Sequence, residues 1–197
     1  MMINFVTISA PSGSGKTTLC KALQDAKPSI QWSISYTTRE RRVMEKNGVD
    51  YHFISLDAFE DLIMKGYFME WENVHGFYYG TSKVSLEKAI EKNNVLLLEM
   101  DVKGSMRIKK LYPENTYSIF IIPPSIDHLR KRLKNRGTDS EKRIEIRLKR
   151  FEEEMEFQKN FDYVMVNEDL ELAKIELNKT INKLKQGVEN GTKNHTI

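Results

Sequence analysis

Apolar and polar positions change period several times along the chain. Residues 3–9 form a continuous apolar and β-branched run that stops at a Pro/Gly/Ser cluster, which predicts a strand buried on both faces of a parallel sheet. From 16 to 26 the apolar residues Leu19, Cys20, Ala22, Leu23 and Ala26 recur at helical spacing, and Pro28 ends that helix. The next stretch is different. Short strand-like pieces at 32–36 and 51–54 flank a charged loop containing Asn47-Gly48, and Ser55 caps a helix that Gly66 stops near Lys65. Residues 67–80 are aromatic, partly alternating and punctuated by Gly76 and Gly80, which predicts strand–turn–strand.

Strand and helix then alternate. Helices are predicted over 83–92, 103–111, 125–135 and 141–158, with strands at 95–100, 117–122 and 163–166. A last helix over 168–185 carries Leu170, Ala173, Leu177, Ile181 and Leu184 on one face, and the Gly/Asn/Lys/Thr-rich tail 186–197 is expected to be disordered. Such alternation argues for an α/β fold with a parallel sheet covered by helices on both faces. Ligands of such sheets sit beyond the carboxyl ends of the strands.

Composition narrows the class. A chain of 197 residues is one domain with room for a small insertion. The net charge is only +3, but Arg and Lys cluster at 39–46, 130–136 and 142–150, a pattern suited to phosphates or to a solvated helix face. The single Cys20 excludes an intrachain disulfide and is expected to pack in the core. No apolar run reaches the ~18 residues of a membrane span, and the N-terminus lacks the basic region of a signal peptide, so a cytoplasmic protein is expected. His52, His75, His128 and His195 show no metal-ligand spacing.

The chemistry begins at residues 10–17, Ala-Pro-Ser-Gly-Ser-Gly-Lys-Thr, between the first strand and the first helix. This matches the phosphate-binding P-loop, with Ala10 in place of the usual first glycine. Gly13 and Gly15 let the backbone wrap so that successive N–H groups face phosphate oxygens, and the helix adds its positive N-terminal end. Lys16 supplies a point charge to the β/γ-phosphates and Thr17 a hydroxyl to Mg²⁺. The motif says which phosphates bind, not where the transferred one goes.

Across residues 3–185 the sequence resembles guanylate kinases. The resemblance is carried by 10–17, by Ser35-Tyr36-Thr37-Thr38-Arg39 with Arg42, by 47–51, by Glu70-Trp71 through Tyr79-Gly80-Thr81, by Glu99-Met100-Asp101-Val102-Lys103-Gly104, by 123–125, and by Arg136-Gly137-Thr138 through Arg147-Leu148. It implies a P-loop NTPase-type sheet with a mixed-β insertion that binds GMP and a helical lid. The implied division is core 1–34, GMP-binding subdomain 35–82, core 83–135, lid 136–158 and core 159–185. It implies Mg²⁺-dependent phosphoryl transfer from ATP to GMP, with ATP and GMP as the partners, no nucleic acid, no membrane, and a monomer or weak homo-oligomer.

The resemblance also implies roles. ATP contacts fall to Ala10, Pro11, Ser12, Gly13, Ser14, Gly15, Lys16, Thr17, Thr18, Arg136 and Asn167. GMP contacts fall to Ser35, Arg39, Arg42, Tyr51, Glu70, Tyr79, Gly80, Thr81, Glu99 and Asp101. Catalysis falls to Lys16, Arg39, Arg136, Arg147 and Asp101, and the metal to Thr17 and Asp101. These types suit the substrates. Arginines fork onto phosphate oxygens. A carboxylate matches the paired N1–H and N2–H₂ donors of guanine and meets adenine's bare N1 with an unpaired acceptor. Tyr78 and Trp71 are expected to be packing residues. An inactive guanylate-kinase-like module would lack the P-loop lysine and lid arginines, which this chain has. The chain departs from the family at Tyr36, Arg41, Met44 and Glu99.

Overall fold

The computed structural model describes residues 3–74, 76–135 and 140–193, with side chains described to residue 184. In chain order the elements are β1 (Phe5–Ser9), α1 (Lys16–Ala26), β2 (Gln31–Trp32), β3 (Tyr36–Thr37), β4 (His52–Phe53), α2 (Leu56–Met64), β5 (Phe68–Val74), β6 (Phe77–Ser82), α3 (Lys83–Glu91), β7 (Leu96–Glu99), α4 (Val102–Leu111), β8 (Thr116–Ile122), α5 (Ile126–Asn135), α6 (Glu141–Met155), β9 (Tyr163–Val166) and α7 (Leu170–Lys193).

Five strands form one parallel sheet in the order β2-β7-β1-β8-β9. The central β1 is buried along its whole length, as its unbroken apolar run requires. Val6 and Ile8 face a core that includes Leu19, Cys20 and Leu23 of α1 and Ala173, Leu177 and Ile181 of α7. On the other face Phe5 joins Leu86 and Ala89 of α3 and Ile108 of α4. Fully buried side chains of this size each contribute about 1.5–3 kcal/mol, so these two layers hold the sheet flat against its helices. A third cluster, Leu129, Leu133, Ile144, Leu148 and Phe151, joins α5 to α6. The predicted α/β fold is therefore observed.

The second sheet is mixed, in the order β4-β3-β6-β5. Strand β3 runs parallel to β4 and antiparallel to β6, which is antiparallel to β5. Its aromatic residues pack on one another: Phe59 of α2 stacks on Phe68 at 4.5 Å and on Tyr78 at 5.5 Å. Gly80 is required where β6 passes them, because a Cβ there would lie 2.8 Å from the Phe68 ring and 3.0 Å from Phe59.

Three expectations need correction. The run 32–36 is not one strand. Ser33 gives its N–H to Leu97 O in the large sheet, whereas Ser35 O accepts from His52 N in the small one, so the chain changes sheets between them. Trp71 is not a core residue: it is 37% exposed, because β5 turns that face to solvent, although Tyr78 does pack beneath it. The last helix does not stop near 185 but continues to Lys193. No proline interrupts it, and two glycines at about 1 kcal/mol each do not stop a propagating helix. Residues 194–197 lie outside the described residues. Among the described residues no helix is long and apolar enough to cross a membrane.

Candidate active site

The carboxyl edge of the large sheet faces the small sheet across a cleft of about 340 Å³. Strand β1 delivers the P-loop to this edge. Gly13 and Gly15 adopt φ +93° and +92°, where a Cβ would be strained and would also collide: with Leu129 at 2.7 Å for Gly13 and with Asn167 Nδ2 at 2.3 Å for Gly15. Asn167, at the end of β9, is 3% exposed and donates Nδ2–H to Ser14 O at 2.7 Å, pinning the loop from behind. Ala10 packs against the core beside α1 and α7. Pro11 and Ser14 are buried, and Thr18 points to solvent away from the cleft.

Strand β7 brings Glu99, Met100 and Asp101 to the same edge, because it is the parallel neighbour of β1. Lys16 Nζ donates to Met100 O at 2.9 Å and lies 3.9 Å from Glu99 Oε1. Thr17 Oγ1 donates to Glu99 Oε1 at 3.3 Å. Thr17 thus faces Glu99 directly. Asp101 instead caps α4, its Oδ1 accepting from Gly104 N at 2.9 Å. A hydroxyl beside a carboxylate is a hard oxygen donor pair of the kind Mg²⁺ accepts while keeping waters and phosphate oxygens as its other ligands, so these residues fit that ion.

The small sheet supplies the opposite wall. Arg39 is held by a bidentate pair with Glu45 at 2.8 and 3.0 Å, and its Nε donates to Tyr79 Oη at 3.3 Å. Its guanidinium also lies 5.5 Å from the centre of the Tyr51 ring. Burial alone would lower the Arg39 pKa, but the hydrogen bonds to Glu45 and Tyr79 outweigh it and raise the value. Burial likewise pushes against ionisation of Glu45, and Arg39 overcomes it, so Glu45 stays below the usual carboxylate range. The side chain of Arg42 is 74% exposed and 3.9 Å from Glu45. Ser35, Tyr51, Tyr79 and Gly80 line the cleft.

Glu70 forms the floor at 5% exposure. Thr81, itself 1% exposed and behind the cleft wall, donates its hydroxyl to Glu70 Oε1 at 2.5 Å. Burial pushes the Glu70 pKa up to about 7; the Thr81 bond opposes this, and the charges of Asp101 and Glu72 add to it. Burial also raises Asp101, against the pull of the Gly104 amide and Lys16. These carboxylates converge on Gly104, where an added Cβ would lie 2.9 Å from Asp101 Oδ1 and 3.1 Å from Glu70 Oε2.

Of the lid arginines, Arg147 of α6 donates Nη1–H to Ser12 Oγ at 3.2 Å. Arg136 lies outside the described residues. Arg130 pairs with Glu145 across α5 and α6, which agrees with a solvated face rather than a site. Cys20 is buried, and burial pushes its thiol well up, so it is packing. Three acidic residues were missed in the sequence. Glu72 lines the cleft two residues after Glu70, and the period of two on a strand could have found it. Glu154 lies seven residues after Arg147 on one helix, again a readable spacing, and burial pushes its pKa up to about 7 against the pull of Arg150. Glu45 carries no signal of this kind, because its loop has no regular period.

The cleft can therefore hold an anion on backbone amides at one end and a molecule with paired hydrogen-bond donors at the other, with cations between them. Residues 2–184 match the family model described as guanylate kinase. The guanylate kinase of Carboxydothermus hydrogenoformans is 44% identical over 168 residues, 85% of this chain and 82% of that protein. That of Helicobacter pylori (strain ATCC 700392 / 26695) is 44% identical over 171 residues, 87% and 82% of the two chains. The crystal structure of guanylate kinase from Anaplasma phagocytophilum superposes with a TM-score of 0.74 at 31% identity, covering 94% of this chain and 86% of that one.

Proposed function

The chain belongs to the guanylate kinase family, the nucleoside monophosphate kinases named by its relatives, and we propose that it transfers the γ-phosphate of ATP to GMP, giving ADP and GDP. The observation that carries this reading is the buried carboxylate of Glu70 in the same cleft as the P-loop amine of Lys16. An anion cradle by itself would fit many nucleotide enzymes. A carboxylate set against paired donors, with Arg39 beside it, fits guanosine monophosphate.

In this reading the P-loop amides and Lys16 hold the β- and γ-phosphates of ATP. Arg39, Arg42, Tyr51 and Tyr79 hold the phosphate of GMP, and Arg39 exchanges Glu45 for it. Glu70 accepts from N1–H and N2–H₂, Ser35 stands near O6, and Thr81 orients Glu70 through its hydroxyl. Thr17 with Glu99 or Asp101 would hold Mg²⁺, which neutralises charge on the phosphate oxygens when bound. The GMP phosphate attacks in line, and Lys16, Arg39, Arg147 and Arg136 stabilise charge spread over the equatorial oxygens, so no covalent enzyme intermediate is needed. The reading includes a cytoplasmic monomer or weak homo-oligomer with no nucleic-acid or membrane partner.

A coupled assay with Mg-ATP and each of GMP, AMP, CMP and UMP tests it. GMP should be consumed faster than AMP by a factor on the order of 10³ or more, as expected where a site leaves buried polar groups unpaired against the wrong base. Equal rates on AMP would overturn the guanine assignment.

A further inference from the structure

A second cavity, of about 260 Å³, lies behind the wall of the cleft where the two sheets meet. Trp32 and Ile34 are that wall, since both also line the cleft. Four rings border the cavity: Trp32 of β2, Tyr36 of β3, His52 of β4 and Tyr67 just before β5. Three of them hold one another. Tyr36 stacks on His52 with ring centres 4.5 Å apart, meets Tyr67 edge-on at 5.5 Å, and shares a hydroxyl hydrogen bond with Tyr67 at 3.0 Å. Tyr36 is a position where the chain departs from its family, so the aromatic wall it completes is not part of the family pattern. Trp32 Nε1 is buried and has no hydrogen-bond partner, a donor that buried tryptophans ordinarily spend. Among the described residues that line the cavity, Lys88 of α3 is the one cation and none is acidic.

Each feature narrows the ligand. Aromatic walls favour a flat ring, which stacks offset or meets them edge-on. A lysine with no carboxylate beside it in the cavity draws an anion. The volume lies just below the range of ordinary small-molecule sites, which suits one or two fused rings. We propose that this cavity is a binding site for a small planar aromatic anion, with its ring among Trp32, Tyr36 and Tyr67 and its charge at Lys88. An acceptor on such a ligand also offers a partner to the unspent indole N–H. The occupant touches both sheets at once, because Trp32 belongs to the large sheet and Tyr36 to the small one. Neither the P-loop nor Glu70 lines the cavity, so the site is separate from the cleft and the proposal does not rest on the nucleotide reading.

Titration with naphthoate, and with the neutral isostere naphthamide, tests it by proton–nitrogen correlation spectra of the nitrogen-labelled chain. The only indole N–H signals are those of Trp32 and Trp71, and Trp71→Phe assigns them. Naphthoate should move the Trp32 signal saturably, with a Kd on the order of 1 mM or tighter, and leave Trp71 in place. Naphthamide should bind roughly three- to fivefold more weakly, and Lys88→Met should weaken naphthoate by the same factor, as loss of one partly exposed ion pair does. Val84→Trp, which fills the cavity from the exposed side of α3, should abolish the shift; a melting curve checks that each variant is folded, and Lys88→Met serves if Val84→Trp is not. Saturating GMP should not displace the probe. A Trp32 signal that does not move, naphthamide binding as tight as that of naphthoate, folded variants that bind unchanged, or displacement by GMP would each overturn the inference.

Discussion

In the proposed reading the two ends of the cleft recognise their targets by different means. At the P-loop end, recognition comes from the backbone: two glycines at positive φ turn amides inward, and Asn167 braces the turn from behind. The eight consecutive residues 10–17 carry most of it. At the other end recognition comes from side chains drawn from separate strands and loops, with Arg39, Tyr51, Glu70 and Tyr79 brought together only when the small sheet folds. A backbone cradle is tolerant of what surrounds it and intolerant of a Cβ. A side-chain site is tolerant of its backbone and sensitive to the charge state of single groups, above all the buried Glu70. One end should therefore fail in an all-or-none manner and the other by degrees.

The sharpest break in that contrast is at Lys16. Lys16→Ala should lower kcat by a factor on the order of 10²–10³, as removal of a single charge-stabilising donor does, with the melting temperature and GMP affinity retained. Loss of GMP affinity as well would show that the two ends are not separable.

Glu70→Gln should act on the opposite end and by a smaller amount. One unsatisfied pairing costs about 1–3 kcal/mol, so KM for GMP should rise by roughly ten- to a hundredfold with KM for ATP unchanged. A defect on the ATP side alone would break the division.

The smallest effect concerns stability and pH. The pKa of Glu70 is raised in the folded protein to about 7, so the folded state holds this proton more tightly than the unfolded state does. Stability from this group is present below the ordinary carboxylate range and is lost as pH rises through about 7. Against wild type, Glu70→Gln should gain about 1–3 kcal/mol in urea unfolding at pH 8 and little at pH 4.5. A difference that does not grow with pH would mean that Glu70 is ionised without cost.

The same contrast explains what the sequence made legible. The P-loop, β1, α1 and the alternation that follows were readable because each rests on a local period or a contiguous motif. The acceptor end was readable mainly through resemblance, since nothing in a spacing connects Arg39 to Tyr79, although Glu70 and Thr81 are partners across the β5–β6 hairpin. Glu45 escaped because its partner Arg39 is 6 positions away in a loop with no regular period. The split of 32–36 escaped because hydrophobic pattern reports burial and not which sheet does the burying. Thr81 was expected to face the ligand, whereas its hydroxyl is spent on Glu70 from behind the wall.

That split has a mechanical meaning. Residues 33–35 and the Ser82–Lys83 peptide are the two covalent straps between the small sheet and the rest of the molecule. Trp32 and Ile34 face Ser82 and Ser85 across a small second cavity, so the straps lie side by side. A plate hung on two adjacent straps swings about them more readily than it slides. Such a swing changes the gap between β5 and the start of α4, where Glu70 and Glu72 oppose Asp101. Along that seam the carboxylates face one another, and Lys103 of α4 lies 3.7 Å from Glu72 of β5, so a change in the gap alters both the like-charge and the ion-pair contacts at once.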